Sequence, residues 1–282
     1  MRRFIPSPVR RPLGILRAVF TRLRIWRRVN QRLAGASEED AAVLRSAVRS
    51  SPLTVWKSLD QWQFPMVSDD CTVLSKGIGT FHVRGKTDDL FHVLPMQEPA
   101  VETTIRANLK RGDTFVDAGA NIGYYTVLAS KIVGDTGQIF SFEMIPETAK
   151  ILRNHVELNN LRNATVIEGA LFHTAGETVE ATLVEGKSGQ SSIANGRGST
   201  KLKVTTTTLA EHLKGTSTVQ LVKMDLEGAE LGALRGIGAD LKKLQAIIFE
   251  NRGARDVVEY LQTHGFEVTR LDGNNALARQ VR

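Results

Sequence analysis

The sequence has few of the features that mark secreted, disulfide-stabilised or membrane-spanning proteins. Its 282 residues include one cysteine, Cys71, so an internal disulfide framework is excluded and a reducing compartment is favoured. No run approaches the roughly 20 consecutive apolar residues that cross a bilayer. Hydrophobic residues make up 41% and charged residues 24%, which is typical of a soluble globular protein. We therefore expect a cytoplasmic protein, with any membrane association peripheral.

Acidic residues are missing from the first 33 positions, which hold ten arginines. The chain has a net charge of +7, so this segment carries +10 and the remainder carries 7 − 10 = −3. The basic character therefore belongs to an N-terminal arm, residues 1–35, and not to the whole surface. Arginine recurs before any apolar core forms, which argues against a secretory signal.

The arm has the periodicity of an amphipathic helix from Leu13 onward. Leu16, Phe20 and Leu23 fall on one face, and most of the arginines fall opposite. Such a helix suits an anionic membrane surface. Three other interpretations remain open: a mitochondrial-type transit segment, a nucleic-acid-binding arm, and a basic tail or helix packed on its own domain.

Residues 36–99 predict an accessory layer of one helix and short strands. Ser37 precedes three acids and can cap a helix that runs to about residue 50. Beyond it, "TVLSKGIGTFHVRG" (72–85) and "LFHVLP" (90–95) have the composition of strands separated by turn residues.

Residues 100–282 alternate between strand and helix patterns. This rhythm predicts an α/β fold with a Rossmann-like, doubly wound, mostly parallel sheet. The expected strands are 115–118, 138–143, 164–168, 219–225, 245–250, 266–270 and 275–280, and the expected helices are 100–110, 122–133, 146–159, 228–236 and 255–263. A Gly/Ser/Asn-rich segment, 186–200, interrupts the rhythm and predicts either a substrate loop or a plain hairpin tip. Ligands of such sheets bind at the carboxyl ends of the strands.

The stretch "FVDAGANIGYYT" (115–126) joins the first expected strand to its helix through a glycine turn. Its glycines, Gly119 and Gly123, leave Asn121 where the dinucleotide fingerprint requires glycine. Asp117 would repel a pyrophosphate at short range, whereas it suits the ammonium and sulfonium groups of S-adenosylmethionine (SAM). Gly119 would let the backbone approach the methionine part of that cofactor closely. The turn therefore favours SAM over a dinucleotide.

Two further acids stand at the ends of the next two expected strands. Glu143 closes "QIFSFE" and can accept hydrogen bonds from both ribose hydroxyls of a nucleoside. Glu168, after the third strand, can reach the adenine amino group. The ribose contact alone does not distinguish SAM from NAD, because NAD enzymes use the same device.

The segments "FVDAGANIGYYT", "FEMIPET", "LVKMDLEGAELGALRG" and "AIIFE" resemble the FkbM family of SAM-dependent methyltransferases, in order and at fitting spacings over about residues 100–250. The resemblance implies a class I methyltransferase fold and an acceptor that is a hydroxyl of a sugar or natural product. It implies cofactor contacts from Asp117, Gly119, Ala120, Asn121, Gly123, Glu143, Met144, Glu168 and Asp225. Met144 stands where the family usually has proline, which alters the adenine side and leaves the ribose contact intact.

The segment "LVKMDLEGAE" brings carboxylates to the acceptor side of the expected site. Asp225 ends the fourth strand and Glu227 follows it, so either can take the proton of a hydroxyl as it is methylated. The turn has no prolines, unlike the Asn/Asp-Pro-Pro-aromatic turn of many enzymes that methylate base or amide nitrogens. We expect metal-free catalysis, with a Mg²⁺ site formed by Asp225, Glu250 and Asn251 as the alternative.

These features predict a SAM-dependent O-methyltransferase that acts on a glycan, a glycolipid or another polar small molecule. One alternative is a nucleic-acid methyltransferase that uses the basic arm, against which the acidic mouth of the site argues. A second is a nicotinamide-dependent oxidoreductase, against which Asp117 and the missing central glycine argue.

Overall fold

The computed structural model describes residues 10–50, 65–184, 187–193, 200–251 and 253–281. The chain divides into two compact units, Met1–Pro95 and Met96–Arg282. Among the helices in these described ranges, none is both long enough and apolar enough to cross a membrane.

The described residues of the first unit, 10–50 and 65–95, form three helices and a small antiparallel sheet. Its helices are α1 (Arg10–Arg32), α2 (Glu38–Ser50) and the single turn α3 (Asp89–His92). Its strands, in the order β1-β2-β3, are β1 (Leu33–Gly35), β2 (Cys71–Ser75) and β3 (Gly79–Val83). The expected start of α2 is confirmed, because the Ser37 hydroxyl oxygen accepts the Asp40 backbone N–H at 3.1 Å.

The prediction of a strand at residues 90–95 is wrong, because the segment begins with the helical turn α3. Leu90, Val93 and Leu94 are all fully buried, and their spacing is that of one helix face rather than of alternating strand positions. The Asp89 carboxylate also folds the chain back by accepting hydrogen bonds from the backbone and guanidinium of Arg84.

The second unit contains the alternating strands and helices that the sequence predicts, together with an inserted sheet. Its elements in chain order are α4 (Pro99–Asn108), β4 (Thr114–Ala118), α5 (Tyr124–Val133), β5 (Gln138–Glu143), α6 (Pro146–Leu158), β6 (Ala164–Glu168), β7 (Ala170–Leu171), β8 (Thr178–Val184), β9 (Lys187–Ser192), β10 (Thr200–Thr207), α7 (Leu209–His212), β11 (Leu221–Met224), α8 (Glu230–Arg235), a 3₁₀ helix (Gly238–Lys243), β12 (Ala246–Glu250), α9 (Arg255–Thr263), β13 (Phe266–Arg270) and β14 (Asn275–Gln280).

The main sheet has seven strands in the order β13-β14-β12-β11-β4-β5-β6. All neighbouring pairs are parallel except those of β14, which runs antiparallel to both β12 and β13. The α/β, doubly wound, mostly parallel architecture is therefore confirmed. The strand order reverses between β4 and β11, and ligands of such sheets bind in the crevice at the carboxyl ends of the strands beside this point.

The insertion between β6 and β11 forms a second sheet in the order β7-β10-β8-β9. The prediction of a loop over 186–200 is wrong for Lys187–Ser192, which is strand β9. Residues 194–199 of the expected loop lie outside the described part of the chain. The inserted sheet packs around a small apolar cluster of Ile145, Ala170, Ala181 and Val204.

Two helices begin later than expected because left-handed backbone precedes them. Asn121 and Gly123 have φ values of 49° and 89°, so α5 starts at Tyr124. Glu227 and Gly228 have φ values of 50° and 101°, so β11 ends early and α8 starts at Glu230. A right-handed helix cannot continue through such residues. Both turns lie at the carboxyl edge of the main sheet.

Gly119 is the tightest point between β4 and β11. A Cβ atom at this position would lie 2.0 Å from the Asp225 carbonyl oxygen, and φ is 80°. Gly215 has a similar φ of 86°, but a Cβ atom there would have no neighbour within 4 Å. Substitution of Gly215 would therefore cause backbone strain alone, whereas substitution of Gly119 would cause both backbone strain and steric overlap.

We expect Gly215→Ala to lower the free energy of unfolding by about 1–2 kcal/mol, because alanine disfavours left-handed backbone. Gly119→Ala should lower it by about 1–3 kcal/mol more, since two backbone segments must also separate. Urea denaturation of both variants measures the difference. Equal losses would show that the close approach at Gly119 is relieved without strain.

Candidate cofactor and acceptor site

The glycine turn is clamped onto the end of β5 by its own backbone. The N–H groups of Gly119 and Ala120 both donate to the Phe142 carbonyl oxygen, at 3.0 and 2.8 Å. The Asn121 N–H donates to Glu143 Oε2 at 2.9 Å. The turn is thus fixed before any ligand binds. The close neighbour of Gly119 in this arrangement is the Asp225 carbonyl oxygen, a contact within the protein.

Asp117 is completely buried at the end of β4. Its Oδ2 accepts the Thr126 hydroxyl at 2.7 Å, and the Thr126 and Ser141 hydroxyl oxygens lie 2.8 Å apart. Its Oδ1 has no hydrogen-bond partner among the described residues. Burial raises the pKa of Asp117, and the nearby Lys223 ammonium opposes this rise.

A second buried acceptor in the turn has no hydrogen-bond partner within the described chain: Asn121 Oδ1. Buried polar atoms of native proteins are nearly always hydrogen-bonded, so these two oxygens call for donors from a ligand or an ordered water. SAM offers an ammonium group and two ribose hydroxyls, whereas a pyrophosphate offers only acceptor oxygens. The Asp117 and Asn121 oxygens therefore fit SAM and do not fit a dinucleotide pyrophosphate.

Glu143 is buried beside the turn with both carboxylate oxygens turned to backbone donors. Oε1 accepts the Ile145 N–H at 2.9 Å, and Oε2 accepts the Asn121 N–H. Burial raises its pKa to about 7, although these hydrogen bonds act in the opposite direction. Each oxygen keeps a further lone pair, so the expected ribose contact stays compatible with this arrangement.

Met144 and Glu168 lie on the adenine side of the expected cofactor position. Met144 is partly buried and packs against the apolar cluster of the inserted sheet. Glu168 ends β6 and forms an ion pair with Arg153 at 2.9 Å near the surface. Neither contact tests the cofactor roles predicted for these residues, which remain predictions.

Lys223 is one of the site residues that sequence reasoning missed. It lies in β11 opposite Asp117, and its Nζ is 3.0 Å from Asp225 Oδ2 and 5.1 Å from the Tyr125 ring centroid. Burial alone would lower the pKa of this lysine, but the carboxylates of Asp225, Asp117 and Glu98 outweigh it and raise the pKa. The available signal was a lysine inside the apolar run "LVKM" of an expected central strand.

Glu98, which precedes α4, and residues of α5 and β14 extend the site. The Tyr125 hydroxyl donates to Glu98 Oε2 at 3.0 Å. Asn275 Nδ2 donates to Glu98 Oε1 at 3.3 Å, and Asn275 is the register partner of Glu250 in β12. Glu98, Tyr125 and Asn275 are distant in sequence, and no local motif marks them as neighbours.

The turn after β11 carries the predicted catalytic acids. Glu230 is buried, and its Oε1 accepts the N–H groups of Leu226 and Gly228 at 2.9 and 3.3 Å, so it holds the turn together. Glu227 occupies left-handed backbone, a conformation that clusters at functional sites. The Ser192 hydroxyl donates to the Glu227 carbonyl oxygen at 2.8 Å, so the inserted sheet reaches the acceptor turn.

Among the described residues, no group of three or more His, Cys, Asp or Glu side chains has the arrangement of a metal site. Of the three residues in the alternative Mg²⁺ site, Asp225 contacts Lys223, while Glu250 and Asn251 stand at the end of β12.

A family model described as the methyltransferase FkbM domain matches residues 117–272, which is more than half of the chain. The chain belongs to this family, and the seven-stranded sheet is that of a class I SAM-dependent methyltransferase. SAM is accordingly the cofactor, and its donors would suit the Asp117 and Asn121 oxygens that have no partner among the described residues. A nicotinamide-dependent oxidoreductase is thereby set aside.

The chain is also similar to individual methyltransferases over parts of its length. It is 36% identical over 78 residues to a probable cobalt-precorrin-6B C(15)-methyltransferase (decarboxylating) of Sulfolobus acidocaldarius, covering 27% of this chain and 41% of that one. It is 27% identical to methyltransferase sdnD of Sordaria araneosa, covering 58% and 77%. The solved precorrin-6y C5,15-methyltransferase of Geobacter metallireducens GS-15 is 15% identical, with a TM-score of 0.43 over 66% of this chain and 90% of that one. The chain spans less than half of the first relative.

We expect SAM affinity to depend on Asp117 and Glu143. Asp117→Asn and Glu143→Gln should each weaken binding at least about tenfold, because a charge-assisted hydrogen bond is replaced by a neutral one. Isothermal titration calorimetry measures the loss. Unchanged affinity in both variants would remove these carboxylates from the cofactor site.

The affinity should also depend on pH in a direction set by Glu143. Ribose hydroxyls donate to the ionised carboxylate, so binding favours proton release from a group whose pKa is about 7. SAM affinity should rise about tenfold between pH 6 and pH 8 as the ionised fraction grows. Glu143→Gln should lose this rise, and it controls for titration of the ligand itself.

Proposed function

We propose that the protein is a SAM-dependent O-methyltransferase acting on a hydroxyl of a polar acceptor such as a glycan or a glycolipid. The observation that carries the proposal is the concentration of carboxylates at the carboxyl ends of β11 and β12. Asp225, Glu227 and Glu250 line this region, and the turn after β11 contains no proline. Carboxylates accept the protons of hydroxyl groups and hydrogen-bond to them.

The chain contributes a base and a means of orienting it. Bound SAM supplies an electrophilic methyl group. Transfer of that methyl group to the acceptor oxygen would break its bond to the sulfonium sulfur and leave S-adenosylhomocysteine. The acceptor hydroxyl would lose its proton to Asp225 or Glu227, so no free alkoxide is required. Lys223 holds Asp225 by one oxygen at 3.0 Å, which leaves the other oxygen available for the acceptor hydroxyl. The proton then leaves to solvent, since the Asp225 side chain is 40% exposed.

The composition and contacts of the inserted sheet are a further argument for a polar acceptor. Ser192 of β9 contacts the acceptor turn through its hydroxyl, and residues 186–200 are rich in glycine, serine and asparagine. Hydroxyl and amide groups match the hydrogen-bonding groups of a sugar. We therefore propose that the insertion forms one wall of the acceptor site.

A nucleic-acid acceptor is the second candidate, and one curated relative supports it. The chain is 37% identical over 51 residues to the tRNA (adenine(57)-N(1)/adenine(58)-N(1))-methyltransferase TrmI of Methanocaldococcus jannaschii. The match covers 18% of each chain. The phosphates of a nucleic acid would be repelled by the carboxylates of Asp225, Glu227 and Glu250 at the proposed acceptor side. We therefore favour a hydroxylated small molecule as the acceptor.

Incubation with methyl-labelled SAM and separated glycan, lipid and RNA fractions of the source cell tests the proposal. We expect label in the glycan or lipid fraction, in a methyl ether that survives mild alkali. Label in a methyl ester, in a methylated base or on carbon would contradict the O-methyl assignment, and mass spectrometry of the product distinguishes these outcomes.

Asp225→Asn and Glu227→Gln should lower kcat by about 10²-fold or more in whichever fraction accepts label, the loss expected for a general base. Both substitutions keep side-chain size and remove the carboxylate charge, so KM for SAM should change less than kcat in Glu227→Gln, whose residue is not a predicted cofactor contact. Thermal denaturation identifies any variant that is merely unfolded, which matters for Asp225 because Lys223 loses a partner. Full activity in both variants would exclude these residues as the base.

Removal of divalent metal ions with a chelator distinguishes metal-free catalysis from catalysis at a Mg²⁺ site. We expect EDTA to leave turnover unchanged, because Asp225 is engaged by Lys223 and would serve as the base without a metal. Loss of activity with EDTA and its return with Mg²⁺ would instead support ligation by Asp225, Glu250 and Asn251.

A further inference from the structure

Helix α1 is packed into its own unit along one face. Trp26 and Val29 are buried in this helix, and Leu33 is buried just after it. Their spacing of three and four residues places them on one stripe. The Arg28 guanidinium donates to the Pro95 carbonyl oxygen at 2.8 Å and further ties the helix to the first unit. The interpretation of α1 as a helix packed on its own domain is thus correct for this face.

A different face of the same helix exposes apolar side chains to solvent. Phe20 is 64% exposed and Leu23 is 55% exposed. Each is followed one helical turn later by an exposed arginine, Arg24 after Phe20 and Arg27 after Leu23. Residues four apart are neighbours on a helix surface, so each apolar side chain has a cation beside it. We call Phe20, Leu23, Arg24 and Arg27 the outward face of α1.

The chain segment that contains the outward face carries charge of one sign. The first 33 residues contain ten arginines and no acid, and acids begin only at Glu38 in α2. Exposure of a phenylalanine and a leucine side chain to water is energetically unfavourable. The boundary between lipid headgroups and acyl chains can bind both apolar groups and cations. We propose that the outward face of α1 docks on an anionic lipid surface, with Phe20 and Leu23 inserted and Arg24 and Arg27 at the headgroup phosphates.

RNA is the other polyanion that such a face would attract. Its phosphates would use the arginines, and an aromatic ring such as Phe20 can stack on a base. Leu23 offers RNA neither a charge nor a stacking surface. A lipid surface uses all four residues of the outward face, so the contribution of Leu23 discriminates between the two partners.

Co-sedimentation of the full chain with phosphatidylglycerol/phosphatidylcholine vesicles tests the proposal. Phe20→Ser with Leu23→Ser should lower vesicle binding at least about tenfold, through loss of buried apolar area. Arg24→Gln with Arg27→Gln should lower it about 25-fold, since each arginine near an anionic surface contributes about fivefold. Vesicles of phosphatidylcholine alone should bind far less protein.

A matched control comes from Leu74, a 43% exposed leucine on β2 of the same unit. Leu74→Ser should leave vesicle binding unchanged, because this residue lies outside the outward face. Calorimetry with SAM identifies variants that are misfolded, and it is independent of the acceptor. Failure of the proposed methyl transfer would therefore leave this test intact.

Three results would overturn the proposal. The first is equal sedimentation of the wild-type protein with anionic and neutral vesicles. The second is unchanged binding of the Phe20→Ser, Leu23→Ser variant to anionic vesicles. The third is binding of a single-stranded RNA that requires Arg24 and Arg27 but not Leu23, in a protein that ignores vesicles, which would assign the face to nucleic acid.

Discussion

The site depends on one buried ammonium group. Lys223 stands in a central strand, is nearly inaccessible to water, and is balanced by the carboxylates of Asp117, Asp225 and Glu98. Taking a lysine out of water costs several kcal/mol unless such partners surround it. The pairing couples β4 to β11 at the point where the strand order reverses, next to the Gly119 contact with the Asp225 carbonyl. The end of β4 and the turn after β11 are thus coupled through Lys223, and substitutions at Asp117 and Asp225 should not be additive.

Local patterns predicted most of the fold. Strands β5, β6, β13 and β14 and helix α9 have the expected bounds, because periodicity and glycine or proline at their ends specify them. The segments that were predicted wrongly owe their structure to contacts with other parts of the chain. Residues 89–92 are helical because Asp89 binds Arg84 and three leucine or valine side chains share one buried face. The segment after Gly186 is a strand because β8 pairs with it, across a bulge.

Only some of the site residues could be predicted from the sequence, because local patterns do not show which distant segments come together. Asp117 and Glu143 lie at the carboxyl ends of β4 and β5, and Asp225 directly follows β11. Parallel strands bring their carboxyl ends to one edge, so sequence alone predicts that these residues lie together. Glu98, Tyr125 and Asn275 meet only through tertiary contacts between a helix start, a second helix and the antiparallel strand β14. Lys223 was visible as a charge in an apolar run, but its role follows from three carboxylates, of which Asp117 and Glu98 lie 223 − 117 = 106 and 223 − 98 = 125 residues away in sequence.

Charge segregation along the chain relates the two proposals to each other. The first 33 residues carry +10 and the remainder carries −3, so a polyanionic acceptor would be attracted by the arm and repelled by Asp225, Glu227 and Glu250. An acceptor that is neutral where it reacts avoids this conflict. Under the two proposals, a glycolipid acceptor would present uncharged hydroxyls to the carboxylates, and anionic lipids would attract the outward face of α1. Confinement to a surface would also raise the local concentration of such an acceptor without any added contact in the site.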